Sequence, residues 1–257
     1  MTSIEAIILG FIQGVTEFLP VSSSGHLILF QKILGFENLE HYILFDLICH
    51  LGTLLAIVFI FANEIKKVFR QKTHFFQVLC GTLPLFPLVL LLHPIKELFN
   101  QVEWLGFFFL TTAFILYLGE RNTKAPLKEN QTPYKDALKI GCMQALAIAP
   151  GISRSGATIS GARLLGWQRE HAVVFSFLLS IPAILGGIVL ETKELLANDA
   201  LNTISIPPIV YAIGFTTAFL AGLLALKLLI RIAIKDKFRV FIWYCVAIGL
   251  ISLYLFH

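Results

Sequence analysis

The sequence predicts an all-α polytopic membrane protein built as an inverted-topology repeat, each half one broken re-entrant hairpin followed by three transmembrane helices. Three observations carry that prediction. The chain is 57% hydrophobic and only 14% charged over 257 residues, with a mean hydropathy of +0.81, which no soluble domain matches. The basic residues alternate between rich and poor connections. Finally, the chain matches itself at an offset of 131 positions. The connections are too short for an extramembrane core, so one integral membrane domain is expected over 1–257, with repeat halves of about 1–131 and 132–257.

About 20 apolar residues span a bilayer core, and the apolar stretches follow in order. Ile4 to Phe30 lacks a basic leader region and contains Gln13 and Glu17, so it reads as part of the mature protein and not as a signal peptide. It is interrupted at Pro20 and Gly25. Tyr42 to Ala62 is a clean span; Val78 to His93 is short, with kinks expected at Pro84 and Pro87; Trp104 to Gly119 follows. Ala137 to Gly166 is broken at Pro150 and Gly151, and Ala172 to Leu190, Pro208 to Ile230 and Val240 to Phe256 complete the set. Cys49, Cys80, Cys142 and Cys245 lie singly, without the paired spacing of a zinc or iron–sulfur site, and read as small core residues. Trp104, Trp167 and Trp243 fall near segment boundaries, as an aromatic belt requires.

Orientation comes from the charges. Lys66, Lys67, Arg70 and Lys72, then Arg121, Lys124, Lys128 and Lys135, then Arg231, Lys235, Lys237 and Arg239 mark three rich connections. Lys32, Lys96 and Lys193 each stand alone in the intervening ones. By the positive-inside rule the rich connections are cytoplasmic, and the clusters at Lys66 to Lys72 and Arg231 to Arg239 also suit anionic headgroups. Ala137 to Gly166 must then enter and leave on one side. It is re-entrant, which is how irregular backbone is tolerated at membrane depth. The 131-residue shift sets Ala6 on Ala137, Gly10 on Gly141, Gln13 on Gln144, Ser22 on Ser153, Ser24 on Ser155, Gly25 on Gly156 and Gly35 on Gly166. Ile4 to Phe30 is therefore re-entrant too. Three spans per half is odd, so the halves lie upside down to one another, with both termini outside.

Chemistry is confined to EFLPVSSSGH at Glu17 to His26 and APGISRSGAT at Ala149 to Thr158. An ionisable side chain costs roughly 2.5–3.5 kcal/mol at bilayer depth on insertion scales, so Glu17, His26 and Arg154 mark a site. Together the strings supply the Glu17 carboxylate, the Gln13 amide one turn earlier, hydroxyls from Ser22, Ser23, Ser24, Ser153, Ser155 and Thr158, and the His26 imidazole. A guanidinium fork, backbone N–H groups, a nucleophile and a proton carrier suit a phosphate ester or anhydride. The i, i+4 spacing lets Gln13 and Glu17 share a divalent cation through oxygen atoms.

QGVTEFLPVSSSGH and PGISRSGAT resemble the two signature regions of the bacterial undecaprenyl pyrophosphate phosphatases of the bacitracin-resistance type, and the resemblance runs over the whole chain. Carried across by position it marks Gln13, Glu17, Ser23, His26, Ser153, Arg154 and Thr158. Gln13 stands where many members have Glu; the pattern allows it, and it leaves only one carboxylate where a two-carboxylate metal site would need two. The resemblance implies hydrolysis of the terminal phosphate of a C55 isoprenyl diphosphate, a divalent ion (Mg or Ca), the bacterial inner membrane, a site facing its outer side, and recycling of the lipid carrier for cell-wall synthesis. On this reading Glu17, Ser23, His26 and Arg154 are catalytic, and Ser24, Gly151, Ser153, Ser155 and Thr158 hold phosphate. Either Ser23 attacks with His26 as its base, or His26 attacks directly. The partners are the isoprenyl diphosphate and the bilayer; no nucleic acid is expected, and a homodimer is compatible with the sequence.

Two competitors remain at this level. SSGH and Ser153-Arg154 echo a second lipid-phosphatase family, but the histidine its spacing requires is Ser160 here. A polyprenyl-phosphate flippase shares the inverted-repeat, broken-helix plan. Among other ionisable residues, Asp46 and His50 form an i, i+4 pair that could stand behind the site, while His41, His74, His93, His171 and His257 lie at segment ends.

Overall fold

The computed structural model describes residues 1–91, 97, 99, 101–121, 132–197, 206–234 and 238–256, and its regular elements are helices. In chain order these are α1 (Ser3–Phe18), α2 (Ser23–Ile33), α3 (Ile43–Ile60), α4 (Ala62–Arg70), α5 (Lys72–Thr82), α6 (Leu105–Glu120), α7 (Tyr134–Leu146), α8 (Arg154–Leu164), α9 (Arg169–Ala197), α10 (Pro208–Ile234) and α11 (Arg239–Phe256). Six segments are long and apolar enough to cross a bilayer: Leu39–Ile60, Lys72–Leu91, Val102–Glu120, Arg169–Ala197, Pro208–Ala233 and Arg239–Phe256. They coincide with the six uninterrupted stretches of the sequence, and the chain is a multi-pass membrane protein.

The two motif-bearing stretches are each split into two short helices. α1 and α2 have 16 and 11 residues, α7 and α8 have 13 and 11. At 1.5 Å per residue the longest is about 24 Å, short of the roughly 30 Å hydrocarbon core. α1 opens on a capping box in which Thr2 Oγ1 accepts from the Glu5 N–H and Glu5 Oε2 accepts from the Thr2 N–H. It stops where Pro20 removes a backbone donor. α2 and α8 stop alike. Gly35 N–H donates to Lys32 O while Phe36 N–H reaches Gln31 O, and Gly166 N–H donates to Arg163 O while Trp167 N–H reaches Ala162 O. Both are Schellman caps, and both place glycine at positive φ, +83° and +92°.

Packing brings each motif helix against a helix distant in sequence. α1 lies on α10 with backbones nearly touching: a Cβ on Gly10 would sit 2.7 Å from the Gly214 carbonyl oxygen. α7 meets α5 at Gly141 and Gly81, and α6 meets α11 at Gly106 and Gly249. Such small-residue seams hold helices together in lipid, where apolar burial alone drives little association. The largest core cluster includes Phe18, Phe61 and Phe177, with Phe177 edge-on to Phe18 at 5.6 Å and stacked on Phe61 at 5.8 Å.

Several expectations change. The basic connection after the second stretch is itself helical, because Asn63 to Arg70 alternates polar and apolar residues at helical period and forms α4. Trp104 and Trp243 are exposed, but Trp167 is buried, its Nε1 donating to Asp136 Oδ2 at 3.3 Å, so it is a core contact between segments and not part of a belt. Cys49 and Cys245 are buried, whereas Cys142 is exposed. Pro84 and Pro87 convert the end of the third stretch into a 3-10 run, Leu83–Leu91. His93, Lys96, Lys124, Lys128, Lys235, Lys237 and His257 lie outside the described residues.

Candidate active site

The site begins with the two loops that separate the short helices. Gly151 N–H donates to Ser22 Oγ at 3.0 Å, and a Cβ on Gly25 would lie 2.8 Å from Gly151 Cα, so the loops touch backbone to backbone. Thr112 of α6 stitches the second loop. Its Oγ1 donates to Gly151 O at 2.8 Å and accepts from Ser153 N–H at 2.9 Å. Ser22 and Ser153 then cap α2 and α8 through Gly25 N–H and Gly156 N–H. Ser22 does so at φ +72°, uncommon for a residue with a side chain, and the clasp to Gly151 helps hold it there. Two helix N-termini, each a partial positive charge, therefore lie together.

Glu17 stands at the centre, 6% exposed near the end of α1. Its Oε1 accepts from Arg154 Nη2 in an ion pair between the two motif regions. Its Oε2 accepts from Ser23 Oγ at 2.6 Å and from Gln13 Nε2 at 3.1 Å, and His50 Nε2 of α3 lies 3.7 Å away. Two buried atoms at this site have no hydrogen-bond partner among the described residues: Arg154 Nη1, a donor, and Gln13 Oε1, an acceptor. Ser23, Ser24 and Arg154 keep part of their surface open. The arrangement can strip a proton from a hydroxyl beside a fixed cation, and it leaves one guanidinium edge unspent.

The structure thus gathers Gln13, Glu17, Ser23 and Arg154, and arranges the other expected residues differently. The anticipated Ser23–His26 pair does not form: His26 is 1% exposed, its Nδ1 donates to Ser22 O at 2.7 Å, and its Nε2 accepts from Tyr244 OH at 2.7 Å. The ring also meets Phe109 edge-on at 5.0 Å, so α2 has turned it into the core against α6 and α11. Thr158 Oγ1 is turned away as well, bonded to Ser176 Oγ at 2.6 Å and to Arg154 O. Ser155 Oγ donates to Leu19 O, Ser153 Oγ caps its own helix, and the Gly151 N–H is taken by Ser22. Ser24 Oγ lies 3.4 Å from Ser22 Oγ. Thr112 and Tyr244 were not found by sequence reasoning; each is one polar atom in an apolar span, with no spacing signal to single it out.

A divalent ion was expected on Gln13 and Glu17. Among the described residues no three His, Cys, Asp or Glu side chains converge into a group that could hold a metal ion. The oxygens do fit an ion held chiefly by phosphate and water. Gln13 Oε1 is a buried amide oxygen without a partner, one turn from the carboxylate, and magnesium is commonly held by one or two protein oxygens plus substrate phosphates.

Residues 6–251 match the family model of the bacitracin resistance protein BacA. The chain is 51% identical over 254 residues to a protein of Protochlamydia amoebophila (strain UWE25) named undecaprenyl-diphosphatase, covering 97% of each chain. Proteins of the same name from Carboxydothermus hydrogenoformans and Methanosphaera stadtmanae are 43% and 36% identical, with 99% and 98% of this chain covered and 98% and 97% of theirs. A family match over nearly the whole chain, carrying both polar strings, places this protein in the BacA family of bacitracin resistance proteins.

Proposed function

We propose that this chain hydrolyses the terminal phosphate of undecaprenyl diphosphate, giving the monophosphate and inorganic phosphate, recycling the lipid carrier for peptidoglycan synthesis and conferring bacitracin resistance. The observation that carries the mechanism is the Ser23 hydroxyl 2.6 Å from Glu17 Oε2, with Arg154 on the other carboxylate oxygen. Ser23 Oγ attacks the β-phosphorus and its proton passes to Glu17. The bond to the bridging oxygen breaks, and its electron pair and the Glu17 proton leave with the lipid monophosphate. Glu17 then takes a proton from water, which attacks the phosphoserine, and returns it to Ser23 as inorganic phosphate departs. Arg154 Nη1 and the N-termini of α2 and α8 bear the charge of the phosphoryl oxygens throughout. Gln13 Oε1 and Glu17 would hold a magnesium or calcium ion, which neutralises diphosphate charge when bound. His26 braces α2 against Tyr244, and its place in the reaction is to keep Ser23 in register.

The site works within an inverted repeat in the bacterial inner membrane, open to the outer side. α2 and α8 have equal length, the same serine cap and the same glycine stop, 131 positions apart. Seams cross between halves, α1 on α10 and α7 on α5, which a two-fold axis in the membrane plane would produce. The flippase reading is not favoured, since the relatives are named for a diphosphatase and a transporter needs no nucleophile beside a cation. Phosphate release from isoprenyl diphosphate by detergent-purified protein, with and without chelator, tests the proposal: turnover without any compartment is expected, and its absence overturns it.

A further inference from the structure

α6 reaches the second loop from outside both motif regions, and one of its faces is given over to that loop and the helix after it. Leu105, Phe108, Thr112 and Gly119 follow at spacings of three, four and seven, which set them on one side of the helix. At one end a Cβ on Gly119 would lie 2.7 Å from Ser160 Cβ of α8; at the other a Cβ on Gly151 would lie 2.7 Å from Phe108 Cβ and 3.1 Å from Leu105 O. The helix and the loop leave no slack between them. Between these points stands Thr112, 1% exposed. Its hydroxyl donates to Gly151 O at 2.8 Å and accepts from Ser153 N–H at 2.9 Å, so donor and acceptor are both spent on the loop backbone. A β-branched side chain has few χ1 choices in a helix, which makes this a stiff strut.

The two bonds close on the residues immediately ahead of Arg154. Ser22 Oγ takes the Gly151 N–H from the other side at 3.0 Å, so the loop is gripped between the first motif region and α6. Arg154 opens α8 one peptide later, with Nη2 on Glu17 Oε1 and Nη1 without a hydrogen-bond partner among the described residues. A long side chain amplifies any tilt of the backbone that carries it. We propose that Thr112 is a positioning residue for the phosphatase reaction: by fixing Gly151 O and Ser153 N–H it sets where the Arg154 guanidinium stands between Glu17 and the phosphoryl group. The inference rests on the phosphatase reading above. Satisfying two buried backbone groups would account for the hydroxyl but makes no demand on Arg154, so the two accounts part when the guanidinium is already gone.

Thr112→Val keeps the shape and removes both bonds, while Thr112→Ser keeps the hydroxyl. Each is made in the parent and in Arg154→Lys, and steady-state phosphate release from isoprenyl diphosphate by the purified proteins is read, with thermal unfolding in detergent as a control. Misplacing a catalytic group by about 1 Å costs up to about a hundredfold, so Thr112→Val in the parent should lose about ten- to hundredfold, chiefly in kcat. Thr112→Ser should stay within about threefold of the parent, since the same bonds are kept. In Arg154→Lys the fork is already lost, and there Thr112→Val should cost less than about threefold more. If the Val protein does not fold, Thr112→Ala is read in the same two backgrounds with the same expectation. An equal factor in both backgrounds, parental kcat without the hydroxyl, or an equal loss in the Ser and Val variants overturns the proposal. A parent protein without phosphatase activity, or parental turnover by Arg154→Lys alone, would instead overturn the reading on which it rests.

Discussion

Glu17 and Arg154, 137 positions apart, form an ion pair with side chains 4% and 18% exposed. It is the electrostatic link between two loops that otherwise meet through hydroxyls and glycine backbone. Neither partner tolerates loss of the other, because breaking a buried pair strands a charge at a cost of about 3–5 kcal/mol. The same pairing leaves Arg154 Nη1 without a hydrogen-bond partner among the described residues, and this is the atom that the proposed reaction turns to the phosphoryl group.

Arg154→Lys keeps the charge and loses the fork. One lysine ammonium cannot serve Glu17 and a phosphoryl oxygen in the same planar geometry, so phosphate release should fall by about 10²–10³, with the fold retained. Near-parental turnover in that variant would make Arg154 a counter-ion only.

Glu17→Gln removes the proton acceptor but retains the shape. Losing a general base should lower kcat by about 10²–10⁴. The check is single-turnover phosphate release under saturating substrate, and a loss confined to KM would show that Glu17 serves in binding alone.

Ser23→Ala should abolish turnover, and acid-stable phosphate should appear on Ser23 in quenched reactions of the parent protein. Tyr244→Phe removes the phenolic donor to His26, which should cost about 0.5–1.5 kcal/mol of stability and leave kcat within about threefold. Acid-labile phosphate on His26, or robust turnover by Ser23→Ala, would restore the direct attack by histidine.

Ser22 separates backbone strain from the clasp to Gly151. Ser22→Ala loses the cap and the clasp while keeping φ positive, and should lower stability by about 1–3 kcal/mol. Ser22→Gly loses the same hydroxyl but accepts that φ without strain, so its unfolding temperature in detergent should lie above that of the Ala variant.

Orientation has its own test. A single cysteine at Asn130, with the four native cysteines replaced, should react with an impermeant reagent only after the membrane is opened. Labelling in intact cells would reverse the assigned orientation.

What the sequence determined by itself was whatever depends on near neighbours or on sums. Apolar length fixed the six spanning segments, and Pro20, Pro150 and Gly151 marked where the others break, because lipid leaves so few ways to satisfy a backbone. That Gln13 and Glu17 share a helix face was legible from their i, i+4 spacing, whereas the direct hydrogen bond between them, where a shared cation had been expected, was not. Tertiary structure alone decided which donors reach Glu17 and where His26 turns. Ser23 and His26, three apart on one short helix, looked like a pair, yet Ser23 meets Glu17 across the hairpin while His26 is drawn inward by Ser22 O and Tyr244. Thr158 went to Ser176 likewise. Such choices turn on how each helix is rotated against its neighbours at close seams such as Gly10 on Gly214, and no periodicity within one segment records how its neighbour is turned.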